Sequence, residues 1–257
     1  MVLIQSLEFH CMQNLKRRKL EMNFIIDNLS VVIPTKDDHL RIKENLNLII
    51  QFLSENIKQY EIIIVSNGST VDSVDSINKQ IYNFDSISHK IIQTAGKGLA
   101  IKTGIKHSKF NNVLFTDADS SVDIMEFKKF VSEGKLKSGF VIGNRKNKKS
   151  ENINSPIIRN LSGTLYLNLI KLLFKVKIED SQCGFKALDK NLFLNCLEFQ
   201  TDGFSFDIEL IILATKSNIE VLEIPVRYVH NKESKVNILT DTFKMLKDLY
   251  KIYKIIK

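Results

Sequence analysis

The sequence predicts an α/β protein built on a doubly wound, mostly parallel sheet. Three observations predict it. Short β-branched runs alternate with amphipathic stretches from Leu29 onward. The runs are apolar at consecutive rather than alternate positions, which marks strands buried on both faces. Each of the first four ends in a polar, turn-forming cluster, so four loops fall on the carboxyl rim where parallel sheets bind ligands.

The first strand is LSVVIPT (29–35), and the helix after it is DHLRIKENLNLIIQFLSENI, with Leu40, Ile42, Leu46, Ile49, Ile50 and Leu53 at helical spacing. Strands YEIIIVSNG (60–68), HKIIQT (89–94) and NVLFTDAD (112–119) follow. The second half is less regular: a strand GFVIGNR (139–145), a long helix (156–176), a helix FDIELIILATKS (206–217) and a strand IEVLEIPVRYV (219–229). In the final segment Phe243, Leu246, Leu249 or Tyr250, Tyr253 and Ile256 form a stripe, with Lys244, Lys247, Lys251 and Lys254 around it. Such a helix either packs on a core or lies on an anionic membrane.

The 257 residues, 44% hydrophobic, suffice for one domain with a real core. Cys11, Cys183 and Cys196 are an odd set without metal-ligand spacing, which fits a reducing compartment. Net charge is +8; six basic residues and no acid lie between Lys135 and Lys149, and eight lie from Arg227 onward. Basic surface attracts phosphate, whether nucleotide, nucleic acid or lipid headgroup. No apolar run reaches the roughly 18 residues of a spanning helix. The opening MVLIQSLEFHCMQNLKRRKLEM has its charges after its apolar patch, the reverse of a signal peptide. The expectation is a cytoplasmic protein, peripheral to the membrane.

The stretch VLFTDADSS runs a buried strand into Asp117 and Asp119. A lone carboxylate is costly to desolvate, so the pair needs a reason. Asp-x-Asp can present oxygens to one hard cation, Mg²⁺ or Mn²⁺, which shares its coordination with water and phosphates. Alternatively Asp119, Ser120 or Ser121 caps a helix VDIMEFKKF, which leaves Asp117 unexplained. AGKGLAIKTG lacks the phosphate-loop spacing, and no Gly-x-Gly-x-x-Gly follows the first strand, which counts against a dinucleotide oxidoreductase.

LSVVIPTKDD, YEIIIVSNGS, GKGLAIKTG, FTDADSS, GNR, DSQCGFKAL, FDIELI, EIPVRY and SKV occur in the order found in family 2 glycosyltransferases. Over residues 29 to 250 the chain resembles that family, and within it the polyprenyl-phosphate glycosyltransferases such as dolichyl-phosphate glucose synthases. The resemblance implies the GT-A fold, with a 29–237 catalytic domain, an extension over 1–28 and a basic amphipathic helix over 238–257. It implies a metal-dependent, inverting transfer of a hexose from a UDP- or GDP-sugar to a polyprenyl phosphate. A saccharide acceptor, as in surface-polysaccharide assembly, is the alternative; a non-catalytic nucleic-acid- or membrane-binding module is a further one, lacking aromatic–basic interleaving.

Carried over by position, Asp117 and Asp119 would hold the metal against the donor diphosphate. The loop starting at Pro34, with Asp38, would contact the nucleoside. Ser66 and Asn67 replace two aspartates usual in the family, so the base is left open. Lys97 would lie by the nucleotide, Arg145 and Arg159 would face phosphates, and Asp180 and Gln182 would line the sugar pocket. Lys235 would sit in the segment closing over the donor. Arg145, Asp119 and Asp180 are the catalytic candidates. A polyprenyl phosphate arrives anionic, since its second pKa is near 6. A sugar hydroxyl would need a base, for which Asp180, Asp207 and Glu209 are the candidates. Cys183 reads as a small buried residue rather than a nucleophile.

Overall fold

The computed structural model describes residues 24–153, 157–194, 200–203, 205–230 and 238–256. The chain enters at β1 (Ile26–Thr35), forms α1 (His39–Asn56), β2 (Ile57–Asn67), α2 (Val71–Ile81), β3 (Ile87–Ile92), α3 (Lys97–His107) and β4 (Asn112–Phe115). A 3₁₀ run over Ile124–Phe130 precedes the small strands β5 (Val131–Ser132) and β6 (Lys135–Leu136). Then come β7 (Phe140–Asn144), β8 (Glu151–Ile153), α4 (Ile157–Phe174), β9 (Lys186–Asp189), α5 (Phe206–Lys216), β10 (Val221–Pro225), β11 (Arg227–Val229) and α6 (Ile238–Ile256).

Seven strands form one sheet in the order β10-β7-β9-β4-β1-β2-β3. Only β9 is antiparallel to its neighbours β4 and β7. Residues of β1 alternate between two cores: Val32 packs with α3, α4, α5 and α6, while Val31 and Ile33 pack with α1 and α2. This two-sided burial is why the strands read as continuous apolar runs. The carboxyl ends of β1 to β4 share one rim, as the sequence predicts.

Four details differ from the sequence reading. β1 begins at Ile26, which is buried opposite Ile57, so the core starts inside the expected 1–28 extension. β3 lies two residues earlier than expected. The run read as one strand over 219–229 is two: β10 ends at Pro225, which has no N–H to continue a ladder, and β11 leaves to pair with β8. The segment after Asp119 is a 3₁₀ run capped by Asp123, whose Oδ1 accepts from Met125 N at 2.8 Å.

Of the two readings of the last helix, core packing is what the described residues adopt. Leu249 and Ile252 are buried, and Tyr253 meets Phe174 of α4 edge-on at 6.1 Å. The buried stripe is therefore turned from the predicted one, leaving Leu246, Tyr250 and Ile255 exposed. No described helix is long and apolar enough to cross a membrane.

Candidate active site

Asp117 and Asp119 stand just beyond β4, at the centre of the rim. Thr116 N donates to Val32 O at 3.1 Å, extending the sheet to the edge of the pair. From α1, Asn45 Nδ2 donates to Ala118 O at 3.1 Å, fixing the peptide between the two carboxylates. Asp119 Oδ1 accepts from Ser121 N at 3.0 Å, a local Asx turn. Because Asp123 is the cap downstream, helix capping does not account for either aspartate.

Lys97 opens α3, and its Nζ lies 2.6 Å from Asp117 Oδ1. Burial works against the Lys97 charge, but Asp117, Asp207 and Asp119 outweigh it and raise its pKa. The first amides of α3 are not available to phosphate: Gly98 N and Leu99 N donate to Asp202 O at 2.8 and 3.3 Å. Asp117 Oδ2 lies against Gly184, where an added Cβ would sit 1.9 Å from it. Replacing Gly184 with Ala is therefore expected to expel the Asp117 carboxylate from its seat. Mn²⁺ binding, read by electron paramagnetic resonance, should weaken at least as much as in an Asp117→Ala control, with the fold retained by circular dichroism; unchanged binding would contradict this geometry.

The donor set fits a hard divalent ion. Two carboxylates stand two residues apart on one loop, and among the described residues no cluster of three or more His, Cys, Asp or Glu forms. Coordination by two carboxylates with water and diphosphate oxygens is the habit of Mg²⁺ and Mn²⁺. Two buried polar atoms near the rim, Thr35 Oγ1 and Gln182 Nε2, have no hydrogen-bond partner among the described residues.

The loops around this centre are bound together. Asn67 Nδ2 donates to Thr35 O at 2.8 Å, and Gly96 N donates to Asn67 Oδ1 at 2.9 Å. Asp37, at φ 54°, accepts from Thr70 N and Thr70 Oγ1 at 2.7 and 3.0 Å. Asp38 pairs with Arg41 at 3.2 Å. Pro34, read as the start of the loop, is buried inside β1 opposite Val65; the loop starts at Lys36. Ser66 is fully buried and its Oγ meets His89 Nε2 at 2.7 Å, while His89 Nδ1 meets Asn78 Oδ1 at 2.8 Å. Ser66 therefore faces a histidine under the sheet, not open rim, and Asn67 has both ends of its amide engaged.

Two buried ion pairs flank the centre, and both lie on DSQCGFK. Asp180 receives Arg145 Nε and Nη2 at 2.7 and 2.8 Å, and Arg145 N at 3.0 Å. Burial alone would raise Asp180; Arg145 prevails and holds it at about 2. The guanidinium also lies 5.2 Å from the Tyr228 ring. Lys186, wholly buried, donates to Asp207 and, at 2.5 Å, to Cys183 O. Burial raises the Asp207 carboxyl against the pull of Lys186 and Lys97. Glu209 accepts from Gln200 N, Thr201 N and Thr201 Oγ1 at 2.7, 2.8 and 2.6 Å. All three carboxylates considered as bases are thus already engaged. Cys183 is buried and its thiol is pushed up to about 11, as expected of a packing residue.

Sequence reasoning missed Lys186, Asp37 and the reason for Gly184. A lysine inside the apolar run GFKAL was the only signal for the first. Lys235 lies outside the described residues, as does the Arg159 side chain.

The model of glycosyl transferase family 2 matches residues 30–196. A dolichyl-phosphate beta-glucosyltransferase of Saccharomyces cerevisiae is 31% identical over 242 residues, spanning 86% of this chain and 72% of the relative. One from Dictyostelium discoideum is 28% identical over 246 residues, spanning 88% and 75%. Among solved structures, glucosyl-3-phosphoglycerate synthase from Mycobacterium tuberculosis with Mn²⁺, UDP-glucose and phosphoglyceric acid superposes with a TM-score of 0.65 at 14% identity, covering 89% of this chain and 80% of that one. The fold agrees with the GT-A arrangement that the strand order and rim suggest, and the family match takes in the aspartate pair, Lys97, Arg145 and DSQCGFK together. By fold and by sequence, the chain belongs to glycosyl transferase family 2 and is a glycosyltransferase.

Proposed function

We propose that the protein moves glucose from a nucleoside-diphosphate sugar, UDP- or GDP-linked, to a polyprenyl phosphate of the dolichyl type. The observation that carries this reading is the engagement of Asp180, Asp207 and Glu209 in hydrogen bonds and ion pairs. A hydroxyl acceptor needs a base within reach, and those three are committed elsewhere. A phosphate acceptor is anionic on arrival. The names of the S. cerevisiae and D. discoideum relatives agree.

In this reading an acceptor phosphate oxygen attacks the anomeric carbon as the bond to the diphosphate breaks, inverting the centre. Negative charge grows on the departing diphosphate. Asp117 and Asp119 would hold Mg²⁺ or Mn²⁺, which supplies a positive centre for that charge when bound. Lys97, kept protonated by its acidic neighbours, adds a second cation at the same place. Asp180 positions the Arg145 guanidinium, and Arg145 in turn faces the phosphates from the far side. Gln182, Asp38 and the Asn67-bound loops line the donor, while Ser66 shapes it from beneath. Arg159 and Lys235 are assigned phosphate contacts on family pattern alone. The catalytic unit would work at the cytoplasmic face of a membrane, touching its anionic surface.

The test is transfer from labelled donor with and without Mn²⁺, in wild type and Asp119→Ala. Wild type with Mn²⁺ is expected to yield product that partitions into organic solvent, and the other three conditions little. Equal yields in all four would end the proposal; a water-soluble product would favour the saccharide acceptor. Thermal stabilisation by UDP against GDP decides the base left open by Ser66 and Asn67.

A further inference from the structure

Among the described residues Lys186 is the one buried lysine, and it has no exposed surface. It opens β9 opposite Phe115, the last residue of β4, and its ammonium lies 5.9 Å from the centre of the Phe115 ring. Desolvating an ammonium is costly, and well-packed apolar side chains of similar volume serve stability as well as a buried ion pair, or better. The charge therefore needs a reason other than the core.

Its partners supply one. Lys186 Nζ donates to Cys183 O at 2.5 Å and to the Asp207 carboxylate in the first turn of α5. Cys183 O belongs to the peptide that joins Cys183 to Gly184, the residue against which the Asp117 carboxylate rests. The same turn is anchored on β7: Gly143 N donates to Phe185 O at 2.9 Å, and a Cβ on Gly143 would lie 2.8 Å from Cys183 Sγ. Ammonium and strand thus hold the turn from two sides. Asp207 in turn leads to α3. Gly98 N donates to Asp202 O at 2.8 Å, and a Cβ on Gly98 would lie 2.6 Å from Phe206 Cβ, so the start of α3 rests directly on the start of α5. Burial raises the Asp207 carboxyl, against the pull first of Lys186 and then of Lys97. Lys97 itself meets Asp117 at 2.6 Å. Lys186, Asp207, Lys97 and Asp117 therefore form a series of alternating charge from the core to the rim.

We propose that Lys186 is a positioning residue: by holding Cys183 O and Asp207 together, it sets the Asp117 carboxylate and the Lys97 ammonium where the divalent ion and the diphosphate meet them. It acts through those two side chains and not on the substrate. The inference rests on the metal-holding role proposed for Asp117 and is independent of the acceptor.

The experiment compares two variants of the full chain. Lys186→Met leaves Asp207 buried without its counter-charge and is expected to lower the urea midpoint. Lys186→Met/Asp207→Leu removes both charges and is expected to fold with a midpoint at or above that of wild type. Its Mn²⁺ affinity, read by electron paramagnetic resonance without turnover, should nevertheless fall by about tenfold. Because the pair is removed whole, the net charge around the ion is unchanged, and the loss reports position. Wild-type Mn²⁺ affinity in the folded double variant overturns the proposal. So does a double variant that unfolds or is less stable than Lys186→Met, because the pair would then serve the fold alone. An Asp117→Ala control separates this inference from the reading beneath it. Mn²⁺ binding untouched by Asp117→Ala removes the metal role of Asp117 and this inference with it. Binding lost there but kept in the double variant removes the role of Lys186 alone.

Discussion

Asp180→Asn is expected to destabilise the protein by about 3–5 kcal/mol, because it strands the Arg145 guanidinium in a buried site without its counter-charge. Asp180 is 1% exposed and takes three hydrogen bonds from Arg145. It is buttressed from behind, since Asp180 N and Glu179 N donate to the Glu223 carboxylate at 2.9 and 2.8 Å. The urea midpoint at neutral pH measures the loss. A change under about 1 kcal/mol would mean that the pair behaves like an exposed one. The same pair has a pH signature. Its carboxyl titrates at about 2 when folded, below the roughly 3.9 of an unfolded aspartate. The stabilisation is therefore complete above the unfolded value and lost as pH falls through the folded one. Wild type should lose stability steeply between about pH 4 and 2, and the variant should lack that component. Acid titration followed by circular dichroism reads both.

Asp117→Asn is expected to slow transfer by about a thousandfold while leaving the thermal midpoint almost unchanged. Its side chain is 39% exposed, and its one ion pair among the described residues is with Lys97, so little folding energy depends on it. In the proposed reaction its charge would hold the metal where the diphosphate charge develops, an effect worth several kcal/mol. Mn²⁺ affinity, measured by electron paramagnetic resonance without any turnover, should fall with the rate. Transfer and Mn²⁺ binding both at wild-type level would remove Asp117 from the site. Retained Mn²⁺ binding with lost transfer would instead assign it to positioning Lys97.

Much of this was legible in the chain because the relevant signals are local. Continuous β-branched runs such as SVVI and EIIIV mark strands covered on both sides, and polar clusters after them mark the rim. Asp117 and Asp119 announced themselves by following such a run directly. What was not legible depends on contacts between distant residues. The strand over Lys186–Asp189 has four residues with a lysine at its head, and only its place between β4 and β7 makes it a strand. The Lys186 partner, Asp207, is 21 positions away. The need for glycine at 184 comes from the Asp117 oxygen, which no local pattern contains. The turn of the α6 stripe was missed because Leu246, Leu249, Tyr250 and Ile252 leave two apolar faces, and α4 selects between them.

Asn67, the last residue of β2, has a consequence for any variant that places an aspartate there. Its amide nitrogen gives a proton to a main-chain carbonyl on one side, and its oxygen takes one from a main-chain amide on the other. An aspartate keeps the second bond and turns the first into repulsion between two oxygens. An aspartate there would therefore unfasten the first loop from the third, and the asparagine is the clasp between them.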